Sequence, residues 1–132
     1  MDSNKKIMIL DDEPDIQDYL MAALEDAGYD TCTIDDINNI SDSISKKQPD
    51  LLVLDIMMPD RSGLSIYKEI QMKPELKKIP VIIISGLSTK KEFLSQLIKG
   101  QEESTEMISP LEFIEKPVQL EHLEEKIESL LT

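Results

Sequence analysis

The chain has 132 residues, 27 acidic side chains against 14 basic ones for a formal net charge of -13, and a single cysteine, Cys32. That length fits one domain burying about two thirds of its unfolded surface, and one cysteine without a histidine cluster excludes both an internal disulfide and a zinc site. The acidity disfavours direct nucleic acid binding and anionic membranes, no apolar run is long enough to span a bilayer, and MDSNKKIMIL is too short in apolar residues for a signal peptide, so a cytoplasmic protein is expected. Most of the acid reads as a solvated surface, but part of it is concentrated after the first apolar run.

Lys5 to Leu10 is expected to be the first strand, ending in Asp11-Asp12-Glu13-Pro14. Pro14 suits the first turn of a helix, whose stripe of Ile16, Tyr19, Leu20, Ala23, Leu24 and Ala27 runs to the stop at Gly28. Tyr29 to Ile34 alternates weakly and predicts an edge strand, followed by a helix with Ile37, Ile40 and Ile44 on one face, closed by Pro49. The third unit begins with Leu51-Leu52-Val53-Leu54, four apolar residues delivering one carboxylate, Asp55, before Pro59 and Gly63 break the run. A strand buried on both faces belongs to a parallel sheet, so Asp55 emerges at its carboxyl end, the edge at which open α/β sheets bind ligands. A helix from about Gly63, with Leu64, Tyr67 and Ile70 inward, ends before Pro74.

The fourth strand is Val81-Ile82-Ile83-Ile84, stopped by Ser85-Gly86, and Thr89 with Glu92 predicts a capping box for a helix carrying Phe93, Leu94, Leu97 and Ile98 to Gly100. Leu111 to Glu115 is the fifth strand, ending at Lys116-Pro117, and a last helix presents Leu120, Leu123, Ile127, Leu130 and Leu131. Strands alternating with helices predict an α/β fold: a single doubly wound, five-stranded parallel sheet with helices on both faces. The first, third and fourth strands are the most uniformly apolar and belong in the centre, which the order 2-1-3-4-5 satisfies. No internal repeat or linker divides residues 1–132, so one domain without an output domain is expected.

One rim of such a sheet gathers Asp11, Asp12, Asp55, Ser85 and Lys116. Taken singly, Asp12 also suits a helix N-cap, Asp55 a turn cap and Ser85 a turn former. Together, crowded carboxylates call for a compensating cation, and Mg2+, a hard ion that takes oxygen ligands, is the natural one. A lysine and a hydroxyl beside it favour a transferred phosphoryl group, although composition alone leaves the chemistry open.

Asp11-Asp12 after the first strand, DIMMPDRSG from Asp55, Ser85-Gly86 after the fourth strand and Lys116-Pro117 after the fifth resemble, in that order, the receiver domains of two-component response regulators. The resemblance covers essentially the whole chain and implies a flavodoxin-like, CheY-like fold. It implies that Asp55 is the phosphoacceptor, attacking a phosphohistidine of a sensor histidine kinase or phosphotransfer protein. It further implies that Asp12, Asp55 and the backbone carbonyl of Met57 hold Mg2+, with Mn2+ as a substitute, that Asp11 acts through a metal-bound water, and that Lys116 pairs with the phosphoryl oxygens. Ser85 and Phe113 would form the switch, the hydroxyl turning toward the phosphoryl group as the aromatic rotates inward; Phe113 also fits a plain edge-strand core residue. The Lys116-Pro117 bond is cis in the family.

Met57 and Leu87 stand, apolar, where the family often places polar groups that influence water attack, so slow autodephosphorylation is expected. His122 reads as a solvated helix position and Cys32 as edge-strand packing. The stretch between Gly100 and Phe113, with Gln101 to Pro110 as the insertion, is about eight to ten residues longer than a receiver needs there: a tolerated surface insertion, an extension of the fourth helix, or a docking element for a partner. Other activities fit less well. A haloacid dehalogenase-type phosphatase needs a second Asp where Met57 stands, an FMN-binding flavodoxin needs a Ser/Thr/Gly-rich first loop, and a P-loop nucleotidase needs a Gly-rich lysine motif that the chain lacks. The resemblance therefore implies a phosphoacceptor signalling domain that catalyses only its own phosphorylation and dephosphorylation. It would act through a downstream effector, with no small-molecule turnover and with a phosphorylation-dependent homodimer as one form of output; the alternative is a binding module that keeps the fold and works without phosphorylation.

Overall fold

A computed structural model of the chain describes residues 5–11, 13–34, 39–55, 63–85, 111–115 and 118–131. Five strands, β1 (Lys6–Leu10), β2 (Asp30–Cys32), β3 (Leu51–Asp55), β4 (Val81–Ser85) and β5 (Leu111–Glu115), form one parallel sheet in the order β2-β1-β3-β4-β5. The helices among the described residues are α1 (Pro14–Asp26), α2 (Ile40–Lys47), α3 (Gly63–Gln71) and α4 (Leu120–Leu131). The predicted helix between Thr89 and Gly100 and the segment from Gln101 to Pro110 lie outside the described residues, as does Ile37.

Strand alternation divides the core in two. Met8, Leu10, Leu52, Leu54, Val81 and Ile83 pack with Ile40, Ile44, Ile66, Tyr67 and Ile70 of α2 and α3 on one face. Ile7, Ile9, Leu51, Val53, Ile82, Ile84 and Ile114 pack with Leu20 and Leu24 of α1 and Leu123 and Ile127 of α4 on the other. A strand buried on both sides has no polar face to spare, which is why the central runs are uninterrupted hydrophobic sequence.

The edge strand is shorter than its sequence suggests. Instead of Tyr29 to Ile34, β2 spans Asp30–Cys32, because it pairs with β1 alone and only Lys6, Ile7 and Met8 face it. Glu69 of α3 holds the first turn of α2: its Oε2 accepts the Ser41 hydroxyl at 2.6 Å and the Ser41 N–H at 3.2 Å. Such donors at a helix start have no intrahelical acceptor, and a carboxylate there also complements the helix dipole.

The stripe expected on α1 is only partly buried. Leu20 and Leu24 enter the core, whereas Ile16 is 39% exposed and Tyr19 is 55% exposed. His122 is exposed and Cys32 half-buried against the core, as their sequence contexts suggested.

Candidate functional site

The site grows from the ends of β1 and β3. These neighbours pair through Leu10 and Leu54, so Asp11 and Asp55, the next residue of each, reach the same rim. Asp55 is the buried charged residue among the described ones, 2% exposed; Asp11 is half-buried and Glu13 exposed. One carboxylate oxygen from each of the three lies within 4.8 Å of the others. Burying a carboxylate costs free energy that partners must offset, and gathering three of the same sign raises that cost.

The turn into α1 is fixed locally. The Glu13 N–H donates to Asp11 Oδ1 at 2.9 Å, an Asp side chain bonding its own backbone two residues on, and the Gln17 N–H donates to the Glu13 carbonyl at 3.0 Å. Pro14 then begins the helix with Glu13, rather than Asp12, as its N-cap. The positive end of the α1 dipole therefore lies beside the acidic cluster, where it favours negative charge.

β4 ends at Ser85, one residue beyond the Asp55–Ile84 pair, and Ser85 is in register with Glu115 of β5. Phe113 lies on β5 opposite Ile83 and packs, half-buried, against the core facing α2 and α3. Of the residues expected at the site, the fold brings together Asp11 and Asp55 and sets the Ser85 backbone on the adjacent strand end. Asp12, Met57, Leu87 and Lys116 with Pro117 lie outside the described residues. Glu13 was not anticipated. Its signal was the third acid of Asp11-Asp12-Glu13 directly before Pro14, which places it on the helix cap facing the rim.

Beside the carboxylates opens a cavity of about 500 Å3, walled by Ile16, Tyr19, Leu20, Ile84 and Val118. Its acidic edge is Asp11 and Glu13. Of its apolar walls, Ile16 and Tyr19 are exposed, beside half-buried Asp11 and exposed Glu13.

A family model described as the response regulator receiver domain matches residues 7–128. The chain belongs to that family. Receiver domains are signalling modules of two-component systems, and the chain is similar to the receiver domain of NtrX from Brucella abortus, at 30% identity over 95% of this chain and 97% of that one, with a TM-score of 0.72. It is also similar to the signal receiver domain of a signal transduction histidine kinase from Syntrophus aciditrophicus, at 27% identity, covering 96% and 89% of the two chains with a TM-score of 0.76. The chemotaxis protein CheY4 of Vibrio cholerae shares the fold, at 22% identity over 98% and 100% with a TM-score of 0.73.

The all-oxygen, anionic donor set of this receiver domain suits a hard divalent cation such as Mg2+. No helix among the described residues is long and apolar enough to cross a membrane.

Proposed function

We propose that this receiver domain accepts a phosphoryl group on Asp55 from a phosphohistidine of a sensor histidine kinase or phosphotransfer protein, and that the modification changes which partner it binds. The observation that carries this reading is the buried Asp55 carboxylate at the carboxyl end of β3, with Asp11 and Glu13 within 4.8 Å. In the transfer, an Asp55 carboxylate oxygen forms a bond to phosphorus as the P–N bond of the donor breaks. The donor phosphohistidine, protonated on its other ring nitrogen, takes the P–N electron pair and leaves as neutral histidine, and Asp55 becomes a mixed carboxylic-phosphoric anhydride. When bound, Mg2+ neutralises charge on the phosphoryl oxygens and on the carboxylates.

Asp11, Asp12, Asp55 and the Met57 carbonyl would hold the cation, with Lys116 and the Ser85 hydroxyl on the phosphoryl oxygens. Phe113, half-buried on β5, would respond to Ser85 as the switch. Asp11 and Glu13 keep a second role: their charge disfavours anions other than one that arrives with a cation. The reaction is a single self-modification in a one-domain unit of the cytoplasm rather than turnover of a small molecule. Output passes to an effector protein or to a phosphorylation-dependent homodimer.

Incubation with Mg2+ and acetyl phosphate, read by intact mass, tests the proposal. One added phosphoryl group that requires Mg2+ and is absent in Asp55→Asn is the expected result. A folded protein that gains none from any donor would instead be a phosphorylation-independent interaction module.

A further inference from the structure

We infer that the α2/α3 face of the domain, from Lys46 across to the turn that follows α3, docks an acidic segment of another protein and holds it whether or not Asp55 carries a phosphoryl group. The first support is how charge divides across the sheet among the described residues. On one face, α1 (PDIQDYLMAALED) has acids but no lysine or arginine, and α4 sets Glu121, Glu124, Glu125 and Glu128 against one lysine, Lys126. On the other face, α2 ends in Lys46 and Lys47, α3 carries Lys68, and the turn after it adds Lys73, Lys77 and Lys78, against Asp42, Glu69 and Glu75. A chain of net charge -13 thus keeps one net positive face.

Helix dipoles account for part of this pattern, because Lys46, Lys47 and Lys68 lie in the last turns of α2 and α3, where a cation is favoured. Lys73, Lys77 and Lys78 come after α3 has ended at Gln71. Their turn is a fixed scaffold: the Leu76 and Lys77 N–H groups donate to the Lys73 carbonyl at 2.9 and 3.1 Å, the Ile79 N–H donates to the Leu76 carbonyl at 3.0 Å, and the Leu76 side chain is buried. Two of the three acids on this face are already engaged. Glu69 Oε2 accepts from Ser41, and Asp42 pairs with Lys46 at 3.7 Å.

The second support is an apolar contact set among these lysines. Met72 is 80% exposed, more than Ile16 or Tyr19 of α1, and with Asp42, Ser45, Glu69 and Lys73 it lines a cavity of about 620 Å3 between α2 and the end of α3. A methionine is flexible and polarisable enough to receive a partner's apolar side chain, while exposed ion pairs contribute little singly and must act together around such an anchor. The occupant that matches is a protein segment of glutamates or aspartates with an apolar residue among them. A nucleic acid backbone has no use for Met72, and its charge would be repelled by the rest of the chain. The turn leads into Val81, the first residue of β4, and the Leu52 N–H donates to the Pro80 carbonyl, so these lysines gather at the amino end of the sheet, opposite the rim that holds Asp55. Docking there leaves the phosphoacceptor open, and the inference does not rest on its reaction.

Titration of a short fluorescein-labelled peptide of glutamates with two central leucines by the full chain, read by fluorescence anisotropy, tests this. The expected result is saturable binding in about 0.05 M KCl that weakens at least about tenfold in about 0.3 M KCl. Lys78→Glu should weaken it about fivefold, whereas Lys126→Glu, the same change of charge on the opposite face, should stay within about twofold of wild type. Met72→Ser should cost about threefold and bind the leucine peptide no better than a leucine-free one. Lys78 and Met72 are exposed, and circular dichroism checks the fold of every variant. Asp55→Asn, and the chain treated with Mg2+ and acetyl phosphate, should bind as wild type does. No saturable binding, equal weakening by Lys126→Glu, or equal affinity for a short DNA duplex overturns the inference. Self-association in sedimentation that Lys78→Glu abolishes overturns it in favour of a second copy of this chain. Binding that changes with the phosphorylation of Asp55 overturns the independence of the two ends while leaving the phosphoacceptor reading intact.

Discussion

β3 has an aspartate at each end, and the two are used in opposite ways. Asp50, just before the strand, exchanges two hydrogen bonds with Lys6 at the start of β1: its Oδ2 accepts the Lys6 N–H at 2.8 Å, and its own N–H donates to the Lys6 carbonyl at 2.7 Å. The Lys6 ammonium bonds the Lys47 carbonyl at 2.9 Å, tying the end of α2 to the same corner. Asp55, five residues on by number, is set among carboxylates. A carboxylate that serves the fold is surrounded by donors, which lower its free energy in the folded state. Like charges close to Asp55 raise its free energy, and under the proposed function binding of a cation or transfer of a phosphoryl group would relieve that excess.

Removing each charge breaks this contrast most directly. Asp55→Asn should lose Mg2+-dependent phosphorylation by on the order of 100-fold or more, because the amide is no nucleophile. Without metal the same variant should melt no lower than wild type, and up to about 5 °C higher, as one of three crowded charges is gone. Differential scanning calorimetry in chelator decides this; a clear fall in Tm would show that Asp55 is a stabilising residue like Asp50. At the other end, Asp50→Ala leaves the Lys6 N–H without its carboxylate. It should cost about 1.5–3 kcal/mol in urea unfolding while Asp55 is phosphorylated at the wild-type rate. A loss of phosphorylation in a variant that remains folded would join the two ends that the structure separates.

The same contrast explains what could be read from the residues. Uninterrupted apolar runs at Leu51–Leu54 and Val81–Ile84 leave no choice but double-sided burial, so the parallel sheet, its order and the emergence of Asp55 at its rim all follow from sequence. Periodicity was less reliable at element ends. Ile16 and Tyr19 continue the helical spacing of Leu20 and Leu24, but the first turn of α1 sits at the rim, where these side chains wall a cavity instead of entering the core. Likewise β2 stops at Cys32 because pairing with β1, not side-chain pattern, sets its length. Asp11 and Asp55 were legible because each follows an apolar run. Glu13 was not, since its approach depends on the backbone turn that Asp11 closes.

Tyr67 sharpens the contrast with a smaller effect, because it is an acid whose shift comes from burial. It lies on α3, fully buried in the core that faces α2 and α3, and desolvation pushes its hydroxyl up to about 12 from 10.0. A folded-state pKa above the unfolded one gives stability that is complete below pH 10 and declines as the pH rises toward 12, since the unfolded chain releases the proton first. The slope contributed by one such group is about 1.4 kcal/mol per pH unit. Urea unfolding between pH 9 and 11 should therefore show a decline in wild type that is shallower in Tyr67→Phe, with a difference of roughly 1 kcal/mol by pH 11. Tyr29, half-buried, is raised too, by burial first and then by Glu128 and Glu124, so Tyr29→Phe is the control for a tyrosine nearer the surface. Equal slopes in wild type and Tyr67→Phe would mean that the Tyr67 hydroxyl ionises in the fold as readily as in the open chain. Burial would then carry little electrostatic cost in this core, and the crowding of carboxylates, rather than their depth, would be what sets Asp55 apart from Asp50.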